Sequence, residues 1–128
     1  MYGFTIQVTT DFEQTIKNVT AALAEQSFGV ITEIDLQAKF KEKLGIDYTP
    51  YRILGACNPS FAHKAIEQEA DIGLLLPCNV VVRAIENGCV VAFLDPASMF
   101  SLVDNDAVAP MANEVKAMLE RARDSLVE

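Results

Sequence analysis

Two near mirror-image tripeptides, Cys57-Asn58-Pro59 and Pro77-Cys78-Asn79, are the places in this chain where residue type and spacing could support chemistry. A helix-like segment between them carries the sole histidine, His63, with Glu67 four residues further on. Cys57 precedes a predicted helix start, where unpaired backbone N–H groups and the helix dipole favour a thiolate or a bound anion. Glu67 is within reach to orient the imidazole. If the chain returns alongside at Cys78, then Cys57, Asn58, His63, Cys78 and Asn79 form a ligand-binding pocket of two sulfurs, one imidazole and two amides. Thiolates with imidazole would suit zinc or copper, and an amide could polarise a carbonyl or hold a polar ligand.

Each of these residues also has a plainer use. Free cysteine is among the most buried residue types and packs as a small hydrophobe, which would account for Cys57, Cys78 and above all Cys89. Asn58 needs no role beyond capping a helix, and Asn79 could satisfy backbone groups at the start of a strand. His63 sits at the edge of the helix's buried face and would pair with Glu67 near the surface. A structural zinc site normally takes four protein ligands, and three candidates without a CxxC pair do not supply them, so no metal is expected. No GxSxG, P-loop or dinucleotide fingerprint is present. The methionines Met111 and Met118 read as core, and the run from Glu120 to Asp124 as solvated helix surface.

The elements that must position the two tripeptides follow from periodicity. Tyr2, Phe4, Ile6 and Val8 alternate with Gly3, Thr5, Gln7 and Thr9, which predicts a strand with one buried face. Thr10 and Glu13 read as a capping box, after which Phe12, Ile16, Val19 and Leu23 recur at helical spacing to about Ser27. Phe28 to Ile34 is a second strand, and Asp35 caps a short helix containing Leu36, Phe40 and Leu44 that stops at Gly45. Tyr51 to Cys57 is a third strand. Asn58 as N-cap and Pro59 at the first helical position start a helix to about Glu69, whose face of Ala62, Ala65, Ile66 and Glu69 lets it approach a sheet closely.

Strands at 78–86 and 89–95 flank Asn87-Gly88, a strong signal for a type I′ hairpin, with Glu86 facing Cys89, Arg83 facing Ala92 and Val82 facing Phe93. That geometry separates Cys78 from Cys89 by roughly 26 Å and excludes a disulfide between them. Asp95-Pro96 closes the hairpin. Asp104 or Asp106 starts a last helix with Met111, Val115, Met118, Leu119, Ala122 and Leu126 as its apolar stripe. No clean βαβ repeat appears, so the fold class is α+β with a mainly antiparallel sheet.

Composition narrows the function classes. A chain of 128 residues fits one domain, 1–128, and 51% hydrophobic residues are ample for a core. No apolar run approaches the roughly 18 residues that cross a bilayer. The start lacks a basic and apolar leader, which makes the cytoplasm the expected location. A net charge of -8 repels nucleic-acid phosphates and anionic lipid surfaces, so neither is an expected partner of this acidic protein. Three cysteines, an odd number without CxxC, argue against a disulfide framework.

The segment Gly55-Ala56-Cys57-Asn58-Pro59, then Ala62, and the stretch Gly73-Leu74-Leu75-Leu76-Pro77-Cys78-Asn79-Val80-Val81-Val82 resemble the bacterial family known as domain of unknown function 302. The resemblance extends over nearly the whole chain. It implies a small α+β domain similar to the TATA-binding-protein-like architecture, a curved antiparallel sheet packed by helices. It implies no DNA binding, because a fold carries no function by itself. Some members of the family are expected to pair, which makes a homodimer the expected state here; no activity or cofactor is carried over.

Three functions therefore stand side by side. The first is a cytoplasmic, non-catalytic binding or interaction module with a pocket at the two tripeptides for a small uncharged or weakly anionic ligand. The second is a thiol-dependent redox or nucleophilic enzyme using Cys57 or Cys78 with His63 as proton acceptor. In the third, the tripeptides terminate a strand, cap a helix and start the next strand in a purely structural dimeric module.

Overall fold

Alternation and capping account for most elements of the computed structural model, which describes residues 1–128. The strands are β1 (Gly3–Val8), β2 (Gly29–Asp35), β3 (Tyr51–Cys57), β4 (Cys78–Ile85) and β5 (Gly88–Leu94). The helices are α1 (Phe12–Glu25), α2 (Leu36–Leu44), α3 (Pro59–Gln68), α4 (Pro96–Phe100) and α5 (Val108–Asp124), with a 3₁₀ segment over Ala70–Leu75. The five strands form one curved, open sheet in the order β1-β5-β4-β3-β2, and every neighbouring pair is antiparallel. The α+β class and the helix-packed antiparallel sheet are as the sequence implies. No helix is long and apolar enough to cross a membrane.

The two faces of the sheet follow from register. Phe4, Phe93, Val80 and Leu54 lie opposite one another in successive strands, as do Ile6, Val91, Val82 and Arg52. These rows face α1 and α5, whose Ile16, Val19, Leu23, Val115 and Leu119 close the main core. Arg52, at the edge of that core, lies 3.0 Å from Glu33 and 3.4 Å from Glu13. Burial lowers its pKa, but Glu13 and Glu33 outweigh that effect and the guanidinium ties β3 to β2 and α1. A satellite core of Ala65, Ile72, Phe100, Val108 and Ala112 sits beneath α3, α4 and α5.

Several local expectations change. The N-cap of α1 is Asp11, whose carboxylate accepts from Gln14 N–H at 2.8 Å; Thr10 instead meets the Thr15 hydroxyl at 2.7 Å. In the hairpin Asn87 takes the left-handed φ of 65° and Gly88 already belongs to β5, opposite Ile85. Arg83 therefore faces Val90, Val82 faces Val91 and Ala84 faces Cys89. The difference from the expected pairing is two residues, so every side chain keeps its face. Gly88 is required there: at φ 156° an added Cβ would collide with the Val8 carbonyl oxygen.

Beyond the hairpin Asp95 begins a helix, accepting from Ala97 N–H at 2.9 Å as the cap of α4. No side chain caps α5 at its immediate N-terminus; Asn105 accepts from Ala107 N–H at 3.0 Å and takes the place expected of Asp104 or Asp106. Helix α3 packs chiefly on the 3₁₀ segment and α5 rather than on the sheet, leaving Ile66 43% exposed.

Candidate functional site

The two tripeptides come together because β3 and β4 are neighbours. Ala56 lies opposite Cys78, so Cys57 at the end of β3 is one residue beyond the partner of Cys78 at the start of β4. Asn58 turns the chain: its Oδ1 accepts from Phe61 N–H at 3.3 Å, and Pro59 enters at the first turn, where no N–H is needed. Gly55 explains the residue before this turn. A Cβ there would collide first with the Thr32 hydroxyl of β2 and then, at 2.8 Å, with the Pro77 ring, so the glycine makes room for both neighbours.

Cys57, Asn58 and Cys78 line one small cavity together with Phe28, Phe61, Met111 and Phe100. Its free volume is about 30 Å³, enough for one or two water molecules and too little for an organic ligand. Cys78 and Asn58 are buried, at 4% and 8% exposure, and Cys57 is half-buried at the rim. Burial, with a smaller push from neighbouring Cys57, raises the Cys78 thiol to about 11, so at neutral pH it is protonated and a poor nucleophile.

The other two sequence candidates lie elsewhere. His63 is on the solvent side of α3, its side chain 76% exposed and its Nε2 3.5 Å from Glu67. It is not among the residues that line the cavity. Asn79 is exposed and sits opposite Gly55, on the face of the sheet away from Cys78. Strand alternation separates Asn79 from Cys78, and helical rotation carries His63 away from Ala62 and Ala65. The arrangement therefore pairs two thiols and a helix cap against aromatic and aliphatic walls, without a base beside either sulfur.

Two further features bear on function and carry no sequence motif. A recess of about 360 Å³ lies between α1 and the segment after α5, lined in part by Thr10, Thr15, Asn18, Glu25, Ser125 and Glu128. Glu128 accepts there from the Thr9 N–H at 2.8 Å. The second feature is the face of the sheet turned from α1 and α5, where Thr5, Ala92, Val81, Ile53 and Ile34 form one continuous row across all five strands. Four of those five residues are apolar, although an antiparallel sheet with a solvated face normally alternates to polar side chains there. Ile53, Val81 and Ala92 are half-buried and Ile34 is 43% exposed.

The sequence profile of a family described as domain of unknown function DUF302 matches residues 4–126. A solved structure described as an uncharacterized conserved DUF302 protein from Bacillus stearothermophilus superposes with a TM-score of 0.91 at 26% identity, over 99% of each chain. Among curated proteins none matches.

Proposed function

The chain belongs to the family described as domain of unknown function DUF302, and we propose that this member is a non-catalytic, single-domain interaction module that works as a pair of identical chains. The observation that carries the proposal is the apolar row Ala92, Val81, Ile53 and Ile34 on the sheet face opposite the main core, none of which is fully buried. Apolar surface gathered in this way marks an interaction site, because water contact with it is unfavourable at roughly 25 cal/mol per Å². Three free thiols and an acidic surface suit a reducing compartment, the cytoplasm. A small-molecule ligand has room in the recess beside α1, and the cavity at the cysteines is too small for one. Sedimentation velocity over a wide concentration range tests self-pairing: a concentration-dependent shift to twice the monomer mass is expected, and a monomer throughout would sink it.

The thiol reading keeps one supporting observation, the half-buried position of Cys57 immediately before the N-cap of α3. Alkylation followed by peptide mapping separates the two. An interaction module labels slowly at all three cysteines at pH 6; a thiol enzyme labels one of them rapidly while the other two stay inert.

A further inference from the structure

We propose that the recess between α1 and the segment after α5 is a binding site for a linear aliphatic polyamine, with ammonium groups held at its two ends by Glu25 and Glu128. The site is independent of self-pairing, so either can fail without the other. Its free volume of about 360 Å³ is in the range that holds small organic ligands. The two carboxylates belong to opposite ends of one helix. Glu25 is the last residue of α1, whereas Glu128 accepts from the Thr9 N–H at 2.8 Å and from the Thr9 hydroxyl at 3.0 Å, just ahead of the helix start. Thr15 to Glu25 alone, both lining the recess, spans roughly 15 Å at helical rise. Along that length Ala21 and Ala22, with Leu126 from the other wall, give methylene groups an apolar surface.

Hydrogen-bond polarity narrows the ligand. A hydroxyl has one proton to donate, and the three hydroxyls that line the recess have each committed theirs to the protein. Thr15, 1% exposed, donates to the Asp11 carbonyl at 2.7 Å, so Thr10 is the donor in the 2.7 Å pair between the two threonines. Ser125 donates to the Ala122 carbonyl at 2.7 Å. These oxygens therefore offer lone pairs only, as do the two carboxylates. Asn18 accepts from Gln14 at 2.9 Å through its amide oxygen, which leaves its amide N–H groups as the side-chain donor of the site. A wall of acceptors matches a ligand rich in donors, and each alkylammonium end supplies three.

Charge selects a cation as well. No lysine, arginine or histidine lines the recess, and none forms an ion pair with Glu25 or Glu128. The last turn of α1 has no basic residue either, so the negative end of the helix dipole adds to the Glu25 carboxylate. The net charge of -8 draws cations towards the whole chain, and the recess is where two carboxylates, an acceptor wall and an apolar strip coincide. Negative ends joined by an apolar stretch fit a molecule with positive ends joined by methylenes.

The test is isothermal titration calorimetry of the full-length chain with spermidine at physiological ionic strength, beside octanediol as a neutral probe and succinate as an anionic one. Saturable binding of spermidine is expected, with none of octanediol or succinate. Glu25→Gln and Glu128→Gln keep side-chain size and an acceptor oxygen, and each should weaken binding about tenfold. Glu114→Gln removes an exposed carboxylate outside the recess and should leave the affinity within about twofold. Circular dichroism checks that each variant is folded. Absence of saturable spermidine binding would overturn the proposal. So would an equal loss in all three variants, which would mean diffuse attraction to an acidic surface, or tighter binding of either control probe. Should Glu128→Gln unfold, Glu25→Gln decides alone, because Glu25 is exposed at the helix end and has no partner to lose.

Discussion

On the helix side of the sheet, Leu54, Val80 and Phe93 are 0%, 0% and 1% exposed, and Phe93 stacks on Phe4 with ring centroids 5.5 Å apart. On the other side, one residue away along each strand, Ile53, Val81 and Ala92 are half-buried and Ile34 is 43% exposed. The two rows have similar apolar character and the same register, so strand chemistry does not distinguish them. The difference is cover: α1 and α5 close the first row within the chain, and the second row stays partly exposed. An apolar row thus stabilises the fold when helices of the same chain cover it, and the partly exposed row is the one on which the proposed association rests.

The largest effect that could break this comparison is truncation on each side. Phe93→Ala or Leu54→Ala should lower folding stability by about 3–5 kcal/mol in urea denaturation, as lost burial and a cavity add together. Ile53→Ala or Val81→Ala, measured on monomer at low concentration, should cost less than about 1.5 kcal/mol. Equal losses on the two faces would show that both are covered within one chain.

Next in size is a pH effect confined to the covered side. Cys78 has its pKa raised in the folded protein, so its contribution is fully present below the unfolded value near 9 and is lost as pH rises through about 11. Stability should fall by up to roughly 3 kcal/mol across that interval. Cys78→Ala should flatten the dependence; denaturation at pH 8 and pH 10.5 in both proteins decides it.

Asp95 sharpens the comparison from the acid side. Burial would raise its pKa, but the hydrogen bond from Lys116 at 3.1 Å and those from the Ala97 and Ser98 N–H groups outweigh that and hold the carboxyl below its usual range. Its stabilisation is present above the unfolded value, about pH 4, and fades as pH falls through the lower folded value. Asp95→Ala should cost about 1–2 kcal/mol at pH 7 and less at pH 3. The smallest effect belongs to His63→Ala, within about 0.5 kcal/mol, because an exposed pair with Glu67 contributes little. A larger loss would mean His63 has a partner that the monomer does not contain.

Much of this architecture was legible where one local signal dominated. The alternation Phe4-Ile6-Val8, the Asn58-Pro59 cap and the Val115-Leu119-Ala122 stripe each appear as expected, since period and cap chemistry act over a few residues. Choices between adjacent candidates were not legible. Asp11 displaced Thr10 as a cap, and the tight approach of Val8 to Gly88 fixed a hairpin register that Asn87-Gly88 alone does not determine. At the candidate site the meeting of Cys57 with Cys78 stood only as a condition, because it depends on β3 pairing with β4, and Phe28, Phe100 and Met111 arrive from distant segments without a motif. The placement of Asn79 was available in principle, because it follows Cys78 in a strand and must face the opposite way.

Strand order also has a consequence for synthesis. Strands β2 to β5 are neighbours in sequence and in space, but β1 pairs with β5, the last strand to be made, with Val8 opposite Cys89. At ribosomal rates of 5–20 residues per second, β1 therefore waits roughly 4–16 s for its partner after it is made. A ribosome-bound chain truncated before β5 should leave Gly3–Val8 open to protease, and one extended well past Leu94 should protect it. The first strand translated is among the last to find its place, and for that interval its apolar face depends on the acidic chain around it, or on a chaperone, to stay clear of other nascent chains.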